Sequence, residues 1–596
     1  MMRTVKLGLF ATLLVGIGTV VLVDEIGIGR YPPAATLADG RSLRFHATDV
    51  RSCMGARALA AIGDRTSQRR WHHCAETLAQ TQALAAFELR YWSLLFAGGF
   101  TLASALGFAV ALRFDRSPAR VVRGRQLLAG AAARQAFVRS AKQEIRLTGT
   151  GLEFLPGLSV SRERETRHWL IWGSVGTGKT QTMLHLILAA IERGDGVLVL
   201  DVKGDMMAKL PGEPLLVAPQ DHRSLVWDVA SDCRTKQDAR ELAARLIPRS
   251  EDPVWSDAAR ETLVTCVSAL QAIKPERWTW HDLHALATVD AERLLDLAKT
   301  YHLDAVRLLQ NPESRTTQSV LSTFQAHMHV VAALGDAWHH NANGTFSVSR
   351  WLARPMPYRP VILQHDPRYP ELTHAWIGGL LGLLASAVGS PSLQESRERR
   401  IWIFADEFPQ LPRLSHFSTF LDLGRSKGIV TVIGAQDLAQ LRATYGHERA
   451  DAWVGMIGTK IITQLNAGRG AEEASQLIGD QEIERIERSE TVVGVQASTT
   501  TMVRREMRRV VTAAEIATRL GPRDDGIRVL LLGQGPDALE LTVPYVTLPE
   551  RRPGHVAATW VSNAARPEPE PQKSAQLRLV RPLPKAAAER IREMGE

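Results

Sequence analysis

Of 596 residues only 4 are cysteine and 7 tyrosine, and aromatic side chains make up 6% of the chain. Basic residues are scattered and never cluster with aromatics, so the stacking platform used by single-strand binders has no counterpart here. Contacts made to phosphate alone would leave no readable signature. A strong charge of one sign is also missing. The net charge of +9 is mild for this length and describes ordinary solvated surface as well as it describes an affinity for polyanions. No internal repeat occurs, which excludes solenoids and other repeat arrays. From Glu550 onward the chain is rich in Pro, Ala, Arg and Glu without apolar periodicity. Such a segment buries too little surface to offset its ordering entropy, so a disordered tail is expected over residues 549–596.

Two long apolar runs are present. Residues 7–23 carry no charge and lie between Arg3 and Lys6 on one side and Asp24 and Glu25 on the other; residues 91–112 are likewise uncharged and contain Gly98, Gly99 and Gly107. Each matches the roughly 17 to 25 residues that cross a bilayer. A cleaved signal peptide is the alternative for the first run, but no small-x-small site follows cleanly and a second run lies close behind. After the second come Arg113, Arg116, Arg120, Arg123, Arg125, Arg134, Arg139 and Lys142, opposed by Asp115. Positive residues stay cytoplasmic, so the expectation is a two-pass inner-membrane anchor over residues 1–112, with both termini inside and residues 24–90 in the periplasm. Residues 113–152 read as a basic linker. Cys53 and Cys74 then fall outside, and Cys233 and Cys266 inside, which predicts a disulfide for the first pair and free thiols for the second. Closing that loop of about 20 residues is worth about 3 kcal/mol in the chain-entropy model. His72, His73 and Cys74 as metal ligands lack a second ligand cluster.

Residues 173–180 read G-S-V-G-T-G-K-T (Gly173, Ser174, Val175, Gly176, Thr177, Gly178, Lys179, Thr180), after the apolar run 169–172 and before a helix-like stretch. The pattern GxxxxGK[ST] needs this strand–loop–helix setting, because backbone N–H groups must converge on phosphates. Lys179 is placed to neutralise the β- and γ-phosphates of ATP, and the Thr180 hydroxyl to ligate Mg2+. A chance Gly-rich turn would lack both the strand before it and a partner motif after it. A second buried strand, 196–200, ends in Asp201 and the stretch D-V-K-G-D, at the edge where open α/β sheets bind ligands. Residues 231–344 change to helical periodicity and read as an all-α insertion. Strand signals return at 360–364, 400–405, 428–435, 459–464 and 528–532, giving an α/β nucleotide-binding domain over 153–230 and 345–548. The run I-W-I-F-A-D-E ends in paired carboxylates: Asp406 is placed for the magnesium shell and Glu407 to polarise the attacking water. Gln436, at the tip of a following strand, can sense the γ-phosphate or orient water, or it caps a sheet edge. Arg425 is a candidate arginine finger for a neighbouring subunit, or an ordinary surface cation.

The stretches E-T-R-H-W-L-I-W-G-S-V-G-T-G-K-T, D-V-K-G-D, W-S-D-A-A-R, A-D-E-F-P-Q-L and G-R-S-K-G-I-V-T-V-I-G-A-Q resemble the coupling proteins of type IV secretion and conjugation, the TraD/TraG-like ATPases, and best the TraD-like branch. The resemblance runs from the first apolar run to about residue 548. It implies a RecA-like motor carrying an all-α domain and assembled as a homo-hexamer at the inner membrane. It also implies ATP-driven pumping of single-stranded DNA, bearing a bound relaxase, into a type IV secretion channel. The short tail departs from the family, with no recognisable docking sequence for a relaxosome protein. A double-stranded DNA translocase of the FtsK kind is a rival, but the linker is short and nothing after residue 548 forms a DNA-reading module. A coupling ATPase recruiting protein effectors is a second rival. An inactive scaffold would need a damaged site, whereas Lys179, Thr180, Asp406 and Glu407 are all intact.

Overall fold

The computed structural model describes residues 2–30, 32–36, 40–114, 120–339, 343–354, 356–411, 413–414, 417–493 and 496–564. It divides into two compact units, one of residues 1–122 and 483–506, the other of 123–482 and 507–596.

In the first unit the helix Met2–Leu22 continues through wider turns, Val23–Arg30, and lies against Leu84–Phe114. Gly16 faces Thr101 and Gly107 faces Leu9, so the two helices run antiparallel with small residues at the seam. Between them, Ala47–Ala61 and Arg65–Gln80 are joined by a disulfide from Cys53 to Cys74, with a Cα–Cα distance of 5.9 Å. They enclose a small core of Ile28, Val50, Met54, Leu78, Phe87 and Tyr91. The second apolar helix begins before residue 91 because the charges in its first turns are satisfied. Glu88 pairs with Arg57, and Arg90 donates to the carbonyls of Gly27 and Ala86.

In the second unit, the described residues build an 11-stranded sheet. Its order is Leu127–Ala129, Ala538–Val543, Gly526–Leu532, Thr459–Ile462, Trp169–Trp172, Ile429–Ala435, Ile401–Ala405, Gly196–Asp201, Val361–Gln364 and Leu215–Val217, with Gly521–Arg523 paired to Gly526–Leu532. The run from Thr459–Ile462 to Leu215–Val217 is parallel. Alternate residues of its strands feed opposite cores. Leu170, Trp172, Leu198, Leu200, Ile401 and Ile403 point to one layer; Trp169, Ile171, Val197, Val199, Trp402 and Phe404 point to the other. Burial on both faces is why these strands read as continuous apolar runs. Between the strands Val226–Trp227 and Thr345–Phe346 the described residues form helices joined by loops, and Thr235 and Thr279 open two of them as capping boxes. Pro370–Gly389 is long and apolar enough to cross a membrane, yet Trp376, Leu380 and Leu384 are fully buried in the motor core.

Three sequence expectations need correction. Residues 113–152 are not a plain linker. Leu127–Ala129 adds an edge strand alongside Ala538–Val543, and the helix Gly130–Thr148 buries Ala133, Phe137 and Ala141. That four-residue spacing is one helix face, hidden among Arg134, Arg139 and Lys142. The tail is not structureless from residue 549. The Arg551 amide donates to the Ala208 carbonyl at 2.9 Å, Ala557 bridges Asp221, and the Trp560 indole donates to Pro219 at 2.9 Å. These contacts use a surface already built by the sheet, so the segment needs no apolar periodicity of its own. Residues 565–596 lie outside the described residues. Finally, a long hairpin, Asp480–Val493 with Gln496–Arg509, stands where no strands are expected.

Candidate functional site

Parallel register brings the site together. Ala435 lies opposite Trp172, and Ala405 lies opposite Ile433 and Leu200, so Gly173, Gln436, Asp406 and Asp201 follow one another along a single carboxyl edge. The phosphate loop springs from this edge into the helix Lys179–Arg193, whose N-cap is Gly178 at φ 94°. Gly178 must be glycine twice over, since a Cβ there would also sit 2.5 Å from Ile527. The loop is pinned from both neighbouring strands. The Gly173 amide donates to Ala435 at 3.1 Å, the Ser174 amide to Gln464 at 2.9 Å, and the Thr177 and Thr463 hydroxyls lie 2.7 Å apart. The Asn466 amide donates to Ser174 Oγ at 2.9 Å, while Val175 at the crest is 74% exposed. A helix N-terminus fronted by fixed backbone N–H groups is an anion cradle.

Lys179 folds back over the loop, donating to the carbonyls of Gly173 at 2.9 Å and Ser174 at 3.0 Å. Burial lowers its pKa, and the nearby Asp406 and Glu407 oppose that effect. Thr180 donates to Asp406 Oδ2 at 2.5 Å, while Asp406 Oδ1 is buried without a hydrogen-bond partner. Burial also raises the Asp406 pKa above the usual carboxylate range. A hydroxyl and a buried carboxylate with a spare oxygen are the hard donors Mg2+ takes, so these residues fit that ion.

Glu407 is held from three sides. Its Oε2 accepts from Gln436 Nε2 at 2.6 Å and from Gln410, and Lys203 Nζ lies 3.3 Å from its Oε1. Lys203 and Gln410 thus join the site residues expected from the sequence. Both stand within the motif stretches D-V-K-G-D and A-D-E-F-P-Q-L, but only the register shows that they meet on one carboxylate. Asp201 shapes the turn that carries Lys203 by accepting from the amides of Lys203, Gly204, Met206 and Met207.

Arg425 is elsewhere. It precedes the amino end of the strand Ile429–Ala435, whose carboxyl end carries Gln436, and at about 3.3 Å per residue this puts it about 20 Å from the phosphate loop's edge. There its guanidinium donates to Glu163 at 2.8 Å and is 53% exposed. The same amino edge carries a cavity of about 750 Å³ lined by Arg162, Arg193, Arg399, Arg400 and Glu398 among others. Arg162, Arg193 and Arg400 there pair with Glu398, Asp195 and Glu165, and Arg399 donates to the carbonyls of Gln394 and Lys427.

A buried parallel sheet with a phosphate loop, a strand-end Asp-Glu pair and an inserted helical domain makes this a RecA-like P-loop motor fold. Residues 153–544 match the model of the type IV secretion-system coupling protein DNA-binding domain, and the chain belongs to this family. The coupling protein TraD of Escherichia coli (strain K12) is 26% identical over 308 residues, 49% of this chain. The match spans 41% of that relative's own length. Among solved structures, the bacterial conjugative coupling protein TrwBdeltaN70 in its unbound monoclinic form aligns with a TM-score of 0.59 at 22% identity, covering 74% of this chain and 97% of that one. The plasmid coupling protein TrwB in complex with ADP and Mg2+ aligns with a TM-score of 0.57 at 22% identity, covering 74% and 99%. These likenesses concern the fold.

Proposed function

We propose that the chain is a two-pass inner-membrane coupling ATPase, N- and C-termini cytoplasmic, that assembles as a homo-hexamer. It would hydrolyse ATP to move single-stranded DNA with its bound relaxase into a type IV secretion channel. Residues 153–230 and 345–548 form its motor, and the helical region 231–344 forms the inserted domain. The observation that carries this reading is the union, on one sheet edge, of the phosphate loop with Thr180–Asp406 and with the clamped Glu407. ATP brings the phosphoric anhydride bond, and Mg2+ neutralises its oxygens. Lys179 leaves the Gly173 and Ser174 carbonyls for the β- and γ-phosphates, and Thr180 and Asp406 hold the ion. Glu407 orients the attacking water and takes its proton as the bond to the ADP leaving group breaks, with Gln436 and Gln410 fixing the carboxylate. Arg425 serves a neighbouring subunit's nucleotide.

Phosphate release by the full-length chain in lipid nanodiscs, measured alone and with single- or double-stranded DNA, tests the proposal. Stimulation by single strands is expected. Stimulation by duplex alone would favour the FtsK-like alternative. No response to either DNA would overturn DNA pumping and leave a protein substrate.

A further inference from the structure

Outside the two apolar helices, the helix Ala47–Ala61 buries Val50 and Met54 but ends in exposed apolar side chains. Leu59 is 50% exposed and Ile62, its C-cap, is 79% exposed. Arg57, on the same helix, ties them to the long apolar helix. Its guanidinium is 4.3 Å from the Tyr91 ring and 5.6 Å from the Trp92 ring, and it pairs with Glu88. Those residues mark the point where charge stops on the long helix, since no charged residue follows Arg90 until Arg113. Trp92 there faces outward, 45% exposed. An outward aromatic at the last charged turn of an apolar span marks the headgroup level of a bilayer. At 1.5 Å per residue, Ile62 is within about 8 Å of Arg57 along the helix axis. Just beyond the turn, Arg65, Arg69 and Arg70 are all exposed, three cations against the single carboxylate of Asp64, which caps the Ser67 amide at 2.8 Å and feels the charge of Arg70.

We propose that this turn rests on the outer leaflet of the membrane the chain itself spans. Leu59 and Ile62 enter the headgroup region, and Arg65, Arg69 and Arg70 take the phosphates of anionic phospholipids. The occupant follows from two things: the turn ends a helix whose Arg57 sits at the level where the apolar spans begin, and a cationic cluster flanks an apolar tip, the composition of an interfacial anchor. The proposal rests on the two-span reading above. The anchor would fix the tilt of the small disulfide-linked lobe against the bilayer.

Spin labels at Ile62→Cys, Gln80→Cys and Leu102→Cys, each in the full chain in nanodiscs, test it by relative accessibility to oxygen and to a water-soluble nickel chelate. The label at 102, within the span, must favour oxygen; if it does not, the two-span reading itself fails. Granted that, the label at 62 should favour oxygen and the label at 80 the chelate. Equal chelate access at 62 and 80 would overturn the anchor. In nanodiscs containing phosphatidylglycerol the oxygen preference at 62 should exceed that in phosphatidylcholine severalfold. Replacing Arg65, Arg69 and Arg70 with Gln should abolish that difference. Indifference to both lipid charge and the replacement would overturn the headgroup contact.

Discussion

Replacing Glu407 with glutamine removes one charge and almost no shape, so its effects can be apportioned from the contacts. Oε2 accepts from Gln436 and Gln410, and the glutamine carbonyl can keep both bonds. Its NH2 group then faces Lys203 Nζ, which lies 3.3 Å from Oε1 in the native pair. The Lys203 side chain is 58% exposed and can turn to solvent, so losing this screened pair costs less than about 1 kcal/mol of stability. ATP binding draws on the loop amides, Lys179 and Thr180, none of which changes. Hydrolysis, by contrast, would lose the proton acceptor proposed above, a contribution of about 10²- to 10⁴-fold. The variant should therefore bind a fluorescent ATP analogue within a few-fold of wild type and unfold within a few degrees of it. Phosphate release should fall by at least about 100-fold, and nucleotide-bound assemblies should accumulate. Turnover within about threefold of wild type, with binding intact, would place the base elsewhere.

Lys179→Ala should abolish hydrolysis and DNA transfer while membrane insertion, followed by fractionation, is unchanged; transfer at wild-type frequency would refute the motor assignment. Cys53 and Cys74 should resist thiol labelling in membranes isolated without reductant and react after reduction. Glu165→Ala should destabilise the second unit by about 3 to 5 kcal/mol in denaturant titrations, because it leaves the buried Arg400, bonded to this fully buried carboxylate at 2.7 Å, without a carboxylate partner and takes from Arg193 one of its two; a loss under about 1 kcal/mol would contradict that accounting. Mixing inactive Arg425→Ala with inactive Lys179→Ala subunits should restore partial ATPase activity. Mixtures that stay inactive although native mass spectrometry shows mixed hexamers would return Arg425 to the role of a surface cation.

The strands were legible because burial on both faces makes 169–172, 196–200 and 401–405 continuous apolar runs, and each is followed directly by a residue of the site, Gly173, Asp201 and Asp406. The phosphate loop and the Asp406-Glu407 pair were legible because their chemistry demands fixed residue types at fixed spacing. What escaped the sequence was held by position instead of composition. The edge strand Leu127–Ala129 is three residues long, too short for any period to show. The Trp560 contact depends on a carbonyl 341 residues away in sequence. The block E-T-R-H-W also proved to be architecture more than chemistry. Glu165 ties strands and helix together, and His168 is a neutral spacer, its pKa pushed down to about 4 by burial, with Nδ1 accepting from the Thr431 amide at 3.1 Å. Pairing such distant residues requires knowing which strands adjoin.

The position of Arg425 bears on its proposed role at a neighbouring subunit's nucleotide. Within one protomer, the cations acting on Asp406 are Lys179 and Lys203, and Arg425 is separated from them by the length of a strand. At rest it is paired with Glu163, but on weak terms. Both side chains are about half exposed, and Glu163 also accepts from Arg167 at 2.7 Å, the contact that leads in lowering its pKa. An exposed pair of this kind is worth about 0 to 1 kcal/mol. A guanidinium delivered to a γ-phosphate in a closed interface accelerates transfer by about 10³- to 10⁵-fold, which corresponds to about 4 to 7 kcal/mol. The cost of leaving Glu163 is thus small beside the transition-state stabilisation proposed for Arg425, and Glu163 retains Arg167 when Arg425 leaves. In the proposed assembly, Glu163 would hold the arginine in place in the isolated subunit and give it up at the interface at little cost.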